Sequence, residues 1–450
     1  MSRMFGTDGV RGVAGTELSI DLATKLGQAG AYVLTEGRGD KKPTILVGCD
    51  TRISGGMLAN ALIAGICSVG ADAVYAGVMP TPAVAYLTRK HGFDAGVVIS
   101  ASHNPMEFNG IKFFNRDGYK LPDSMEDEIQ RQIESGMADI ESPTGEKIGH
   151  VKYAFDMDRE YVDFEKENVP IDLSGMKIVV DCAEGASYKT NTQVLKELGA
   201  DLVAIHTHPT GTNINDHCGS THMEQLAQRV RDEKADIGIA FDGDADRMLA
   251  VDENGNMVDG DQIMAICANF MKKQGTLKKN TVVVTVMSNL GFTLMGEREG
   301  LHIATTQVGD RYVLERMKAE GYNIGGEQSG HIIFLDSNTT GDGMLSALRL
   351  LEVMVTEKKP LSELASVMEV LPQALVNAHV PTDRKTSYND YSEIREGIRK
   401  LEDKFAGQGR ILIRPSGTEP LVRVMIEGKN QNEIDRDAHE LASLIEKVMN

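Results

Sequence analysis

Asp242, Asp244 and Asp246 stand at alternate positions and are the strongest local signal for chemistry in this chain. Three carboxylates this close repel one another unless a cation sits among them. On a straight strand alternate residues are about 6.6 Å apart, so the outer two would be separated by roughly 13 Å and could not share an ion. Magnesium holds its oxygens at about 2.0–2.1 Å, so the backbone has to curl. Gly243 and Ala245 are small enough to let it. An all-oxygen ligand set suits Mg²⁺ or Mn²⁺ better than Zn²⁺. An EF-hand would use the same aspartates with Glu253 at its twelfth position, but Arg247 stands where that loop needs Gly and a strand-like run precedes it. An aspartyl nucleophile of a phosphotransferase and a solvated acidic turn remain open alternatives.

A second signal is Ser100-Ala101-Ser102-His103-Asn104-Pro105. The hexapeptide alone reads equally as an Asn-Pro turn whose hydroxyls cap the backbone. Its functional alternative is a serine carrying a phosphoryl group, whose oxygens could reach the cation held by the aspartates. No GxSxG surrounds either serine. A third signal, Arg414-Pro415-Ser416-Gly417-Thr418, offers a guanidinium, two hydroxyls and backbone amides. Those groups suit a phosphate cradle, and a plain turn is the competing possibility. Neither GxGxxG nor GxxxxGKS/T occurs. His206, His208, His217, Cys218 and His222 crowd one segment, but their spacing matches no familiar structural zinc pattern.

These loops need scaffolds to present them. Strand-like runs at 44–48, 177–181 and 281–285 each open a segment, and a second apolar run follows at 96–99, 237–241 and 322–324. Each second run leads into a polar loop, at 100–105, 242–247 and 325–331. Beyond the carboxyl ends of strands is where open α/β sheets place ligands. The spacing then changes. An extended run at 371–380, a charged helix over 391–405, strands at 410–413 and 421–426, and a final helix from Asn430 with Glu433 three residues on complete the chain. The expectation is three related α/β domains with mixed sheets plus a smaller C-terminal α+β domain, at 1–150, 151–255, 256–370 and 371–450.

Composition bounds the rest. A chain of 450 residues exceeds one core. With 47 Lys+Arg against 66 Asp+Glu the net charge is −19, which argues against nucleic acid or an anionic membrane as partner. Five scattered cysteines without a CxxC pair point to a reducing cytoplasm. No apolar leader follows Met1, and the uncharged stretch 53–71 holds too much Gly, Ser and Asn for a membrane span, so a soluble chain with a buried helix there is expected.

Together these motifs resemble the α-D-phosphohexomutase family at four places in the same order: Ser100–Pro105, Asp242–Arg247, Gly326–His331 and Arg414–Pro420. Phe5–Gly12, Val308–Tyr312 and, more weakly, Gln328 favour the branch acting on glucosamine phosphate over those acting on mannose or glucose phosphate. The resemblance implies an isomerase of four domains, with its active site in a central cleft built from one loop of each. Ser102 would be the phosphoserine, and its phosphoryl oxygen with Asp242, Asp244 and Asp246 would bind one Mg²⁺ per subunit. Glu327 and Ser329 would hold sugar hydroxyls. Arg414, Ser416, Gly417 and Thr418 would grip the phosphate that is not reacting, helped by Arg423. Arg11, Lys112 and His331 would stabilise charge or transfer protons.

The implied reaction passes a phosphoryl group from Ser102 to O1 of glucosamine 6-phosphate and returns the 6-phosphate to Ser102 through a 1,6-bisphosphate. Its product would supply UDP-N-acetylglucosamine for cell-wall synthesis. Glucosamine or glucose 1,6-bisphosphate would serve as activator. The partner would be a small sugar phosphate, with no nucleic acid and no membrane, and a homodimer is compatible. Two other classes stay open: an aspartyl phosphotransferase or phosphatase using Asp242 or Asp244, and a non-catalytic sugar-phosphate sensor.

Overall fold

The computed structural model describes residues 3–6, 8–35, 42–138, 140–416 and 419–450, and in it the β-branched runs become strands separated by helices. The first stretch holds β1 (Val10–Val13), α1 (Ile20–Thr35), β2 (Thr44–Cys49), α2 (Ile53–Ser68), β3 (Asp72–Val78), α3 (Thr81–His91), β4 (Ala95–Ile99), β5 (Phe108–Asn115), α4 (Asp123–Glu134) and β6 (Val151–Tyr153). Next come α5 (Asp158–Asn168), β7 (Lys177–Asp181), α6 (Ser187–Glu197), β8 (Asp201–Ile205), α7 (Glu224–Glu233), β9 (Ile237–Phe241), β10 (Met248–Asp252) and β11 (Met257–Val258). The third stretch runs α8 (Gly260–Lys273), β12 (Thr281–Thr285), α9 (Leu290–Glu299), β13 (His302–Thr306), α10 (Asp310–Glu320), β14 (Ile324–Gly326), β15 (Ile332–Phe334), α11 (Gly343–Glu357) and α12 (Leu361–Ala365). The last is β16 (Gln373–His379), α13 (Ser392–Phe405), β17 (Gly409–Pro415), β18 (Leu421–Gly428) and α14 (Gln431–Met449).

The first three sheets repeat one topology. Their orders contain β5-β4-β2-β3, β10-β9-β7-β8 and β15-β14-β12-β13. In each, two parallel pairings join the first three strands and an antiparallel hairpin adds the fourth. The three polar loops lie in those three hairpins, after β4, β9 and β14. The fourth sheet, β16-β18-β17, is antiparallel throughout.

The uncharged stretch from Ile53 is a helix, α2, with Leu58, Leu62 and Ile66 fully buried. Each such side chain contributes about 1.5–3 kcal/mol by leaving water. Gly65 lets α2 close on α1, since a Cβ there would stand 2.1 Å from the Thr24 carbonyl. No helix among the described residues is long and apolar enough to cross a membrane.

β6 pairs with β3 and extends the first sheet to residue 153, and β11 pairs with β10 and extends the second to residue 258. Both are short edge strands, too brief for an alternating pattern to register. The third apolar run also differs: its strand starts at Ile324 and continues through Gly325 and Gly326, where glycine masks a strand in the sequence.

The chain divides into two units, one of residues 1–287 with 301–367, the other of 288–300 with 368–450. Helix α9 therefore belongs with the C-terminal sheet. Asn289 explains this: its side chain donates to the Leu371 carbonyl (2.9 Å) and accepts from the Leu371 amide (3.0 Å). Buried Glu427 accepts from the Leu290 amide at 3.2 Å, and the Arg410 guanidinium donates to the Ser288 carbonyl at 2.7 Å. Asn430 caps α14 through the Glu433 amide.

Candidate active site

In the first unit the three hairpin loops meet. The serine loop leaves β4 and turns sharply at Ser102, which takes a left-handed φ of 53° that costs energy for a residue with a Cβ. Its surroundings hold it there. Buried Asp50 accepts the Ser100 hydroxyl (2.5 Å) and pairs with Arg52, and the Ser100 Oγ accepts the Ser102 amide at 2.9 Å. Arg52 (3.2 Å) and Asn215 (2.9 Å) both donate to the Ser102 carbonyl. Ser100 thus caps the backbone and is wholly buried, whereas the Ser102 hydroxyl points to the aspartates and hydrogen-bonds Asp242 Oδ2 at 2.6 Å.

The aspartate loop curls as an ion would require. The Ala245 amide bonds the Asp242 carbonyl at 3.1 Å, closing a turn, and the amides of Thr81 and Gly343 pin the carbonyls of Asp244 and Ala245 at 3.0 Å each. Gly243 is needed for close approach, because a Cβ there would lie 2.6 Å from the Ser102 carbonyl. One oxygen from each of Asp242, Asp244 and Asp246 falls within 4.8 Å of the others, and all three residues are buried. Oδ1 of Asp244 and Oδ1 of Asp246 are buried without a hydrogen-bond partner among the described residues. Orphaned, converging carboxylate oxygens fit a divalent metal, and this triad can coordinate one.

Charge around the triad is uneven. Burial, then the neighbouring Asp244 and Asp246, push the Asp242 carboxyl well above the usual range. Burial also opposes charge on Asp244, but the Lys112 ammonium, 2.8 Å away, wins and holds it low. Lys112 comes from β5 and is itself buried, 2.8 Å from Asp8 as well. Arg11 stands on the adjoining β1, where Arg11 pairs with Gly110, and forms an ion pair with Asp8. Burial disfavours charge on Asp8, yet Lys112, Lys120 and Arg11 hold its carboxyl well down. Lys120 bridges Asp8 (2.7 Å) to Asp310, linking the first domain to the third.

A cleft of about 520 Å³ opens onto this network, lined by Arg11, His103, Lys120, Arg247, Glu327 and His331 among others. Burial, with Arg247 and Arg11 behind it, lowers His103 to about 4, so the ring is neutral at physiological pH. Its Nδ1 lies 3.4 Å from the Ser102 Oγ. Burial lowers the pKa of His331 but Asp246 and Asp310 raise it further, favouring the imidazolium. Against that, the Gly341 amide donates to its Nε2 at 3.1 Å and needs that nitrogen's lone pair. The amide is the closer contact, since both carboxylates are 3.5 Å away, and it leaves the proton on Nδ1 facing Asp246. In the sugar loop, Glu327 Oε1 accepts from the Gly309 amide at 3.1 Å, while Ser329 is exposed.

Arg414, Ser416 and Arg423 belong to the other unit. Arg414 pairs in register with Arg423 across β17 and β18, and among the described residues no carboxylate pairs with Arg414. Burial and then the Arg423 charge lower its pKa. Arg423 donates to Glu419 at 2.8 Å. The loop is anchored from below: the Lys385 ammonium, buried, donates to the carbonyls of Ser416 (2.5 Å) and Glu419 (3.2 Å). Gly417 and Thr418 lie outside the described residues. Sequence reasoning missed Asp8, Lys120, Asp310, His103 and Arg247. Asp8, His103, Arg247 and Asp310 stand inside stretches already noticed and only Lys120 lies outside them; their pairing is made by folding.

Comparison with known proteins gives the family. The chain matches the descriptions "Phosphoglucomutase/phosphomannomutase, alpha/beta/alpha domain I" over residues 2–139, domain II over 159–255, domain III over 259–371 and the C-terminal domain over 350–444. It is 59% identical to the curated phosphoglucosamine mutase of Clostridium novyi over 450 residues, covering 100% of both chains. It is 58% identical to that of Clostridium tetani over 447 residues, covering 99% of each. A crystal structure of a phosphoglucomutase/phosphomannomutase family protein from Burkholderia thailandensis shares the fold, with a TM-score of 0.83 at 23% identity over 100% of this chain and 99% of that one.

Proposed function

The chain belongs to the phosphoglucomutase/phosphomannomutase family, in its bacterial phosphoglucosamine mutase branch, and from that premise we propose that it interconverts glucosamine 6-phosphate and glucosamine 1-phosphate. The observation that carries this reading is the contact between the buried Ser102 hydroxyl and Asp242, next to a cleft whose lining includes His103, Arg11, Lys120, Arg247 and Asp246. Phosphoryl transfer needs in-line positioning and charge neutralisation more than covalent help.

Phosphorylated Ser102 donates its phosphoryl group to the sugar O1: the Oγ–P bond breaks, an O1–P bond forms, and the O1 proton is released as Oγ regains one. The 1,6-bisphosphate turns end for end, the O6–P bond breaks as an Oγ–P bond re-forms, Oγ gives up its proton and O6 takes one up. Asp242, Asp244 and Asp246 would hold Mg²⁺, which supplies neutralisation of the transferring group's charge. Lys112, paired with Asp244, and Arg11, paired with Asp8, would bring positive charge to this network, and neutral His103 offers a lone pair within reach of Oγ. His331 presents its Nδ1 proton to Asp246 and so orients that carboxylate. Glu327 and Ser329 would read the sugar hydroxyls in either orientation, and Arg414 with Ser416, Gly417, Thr418 and Arg423 would hold the idle phosphate. A sugar 1,6-bisphosphate would prime Ser102. The five free cysteines support a reducing, cytoplasmic setting.

The test is phosphorus NMR of the purified chain with glucosamine 6-phosphate, Mg²⁺ and a trace of bisphosphate. Glucosamine 1-phosphate should accumulate, with a higher kcat/KM than for glucose or mannose 6-phosphate. No isomerisation, or full activity in Ser102→Ala, would refute the assignment.

A further inference from the structure

The strands β7 and β8 end side by side, and at their carboxyl edge three potential ligands of mixed type converge. Asp181 closes β7, His206 follows β8 directly, and Cys218 precedes the turn Gly219–Thr221. One ligand atom from each lies within 4.8 Å of the others. On spacing alone the histidine-rich segment gave no zinc pattern, because the missing ligand, Asp181, is twenty-five residues upstream of His206 and reaches it only through the parallel register that sets Asp181 against Ile205. His208, His217 and His222 stay outside the group.

We propose that Asp181, His206 and Cys218 form a second metal centre, distinct from the aspartate triad, that takes a zinc-class transition-metal dication. Three observations carry it. The Asp181 carboxylate is already oriented, accepting the Ala183 amide on Oδ1 (2.8 Å) and the Gly219 amide on Oδ2 (3.0 Å), the kind of support that metal ligands receive. The His206 Nδ1 is buried and 2.9 Å from Asp181 Oδ2, so an imidazole nitrogen and a carboxylate oxygen already face each other at a spacing that two ligands of one ion can take. Left-handed backbone at five non-glycine residues, Ala183, Glu184, His206, Asn215 and His217, gathers in this one region, strain of the kind that folds keep at functional sites.

The ligand set selects the ion. One thiol, one imidazole and one carboxylate match zinc, with a fourth position for water, and disfavour magnesium, which prefers oxygen alone. The centre also borders the serine loop. The Asn215 amide donates to the Ala183 carbonyl at 2.9 Å, and the Asn215 side chain donates to the carbonyls of Ser102 and Asn104. Metal here would therefore stiffen the support of Ser102.

The test titrates the full chain, saturated with Mg²⁺, with Co²⁺ as a spectroscopic probe. A single cobalt should bind with an intense near-ultraviolet thiolate-to-cobalt band, and Zn²⁺ should displace it. Cys218→Ser should abolish the band, and Asp242→Asn should leave it in place. Because Cys218 is buried and its variant could misfold, His206→Gln, at a side chain 20% exposed, gives a second reading: its cobalt affinity should fall at least ~10-fold with an unchanged circular dichroism spectrum. Absence of a thiolate band in the unaltered chain, survival of the band in Cys218→Ser, unchanged affinity in His206→Gln, or loss of binding in Asp242→Asn would each overturn the proposal.

Discussion

The Ser102 Oγ and Asp242 Oδ2 lie 2.6 Å apart, so the proposed nucleophile and a carboxylate of the candidate metal site share one hydrogen bond across two domains. Ser102→Ala should reduce turnover by a factor on the order of 10⁴–10⁶, as loss of a nucleophile does elsewhere. Phosphopeptide mapping should find an acid-stable phosphate at Ser102. A hydroxylamine-labile phosphate on Asp242 or Asp244 would move the role to an aspartate.

Burial and its two neighbours keep a proton on Asp242 at pH values where an ordinary aspartate is ionised. A dication must displace that proton, so Mg²⁺ affinity should rise with pH and level off once the carboxyl ionises unaided. Calorimetric titration across a pH series checks the slope. Asp242→Asn should bind more weakly with that slope removed, and chelation should abolish activity that added Mg²⁺ restores. An affinity independent of pH in the unaltered chain would contradict the protonated state.

Arg414 has no acidic partner among the described residues, which leaves its fork for a phosphate. Arg414→Ala should raise the apparent KM for both sugar phosphates, at a cost of about 2–5 kcal/mol where the contact is desolvated. Arg414→Lys should recover only part, since an ammonium cannot grip bidentately. Labelled bisphosphate should also escape more often in a single turnover. A one-directional defect would rule out a shared anchor.

Glu165 is fully buried, with Asp342 and Tyr161 as its hydrogen-bonding neighbours. Burial, then the charge on Asp342, raises its pKa well above an ordinary glutamate. The folded chain thus binds a proton that the unfolded chain releases near pH ~4.3. This contribution to stability is complete below that pH and is lost as pH rises toward the raised folded value, at about 1.4 kcal/mol per pH unit. Urea denaturation should show Glu165→Gln with a flatter decline toward alkaline pH. An equal slope in the variant would place the effect elsewhere.

How far the sequence could be read depended on the range of each interaction. The strand runs at 44–48, 177–181 and 281–285 and the loops after 99 and 241 were legible because β-branched runs and Asp, Gly or Pro loops act locally. The shared hairpin topology was only hinted at, since pairing order is a long-range property. Asp8 illustrates the limit at the site: it stands in the stretch Phe5–Gly12 that carries the resemblance, but nothing local shows that it will meet Lys112, Lys120 and Arg11 together, and Asp310 reaches Lys120 from 302 positions further on. The short strands at 151–153 and 257–258 were illegible for the opposite reason, too few residues to show a period.

The clasp of Asn289 on Leu371 bears on how this chain can be taken apart. With 288–300 assigned to the C-terminal unit, the polypeptide passes between units at three points, after residues 287, 300 and 367. A fragment cut at 367 would leave helix α9 on the wrong piece, stranding the buried Glu427 without its Leu290 partner and the Arg410 guanidinium without the Ser288 carbonyl. The C-terminal sheet is therefore no cassette to be exchanged at a single junction between relatives; a chimaera has to transplant α9 along with it.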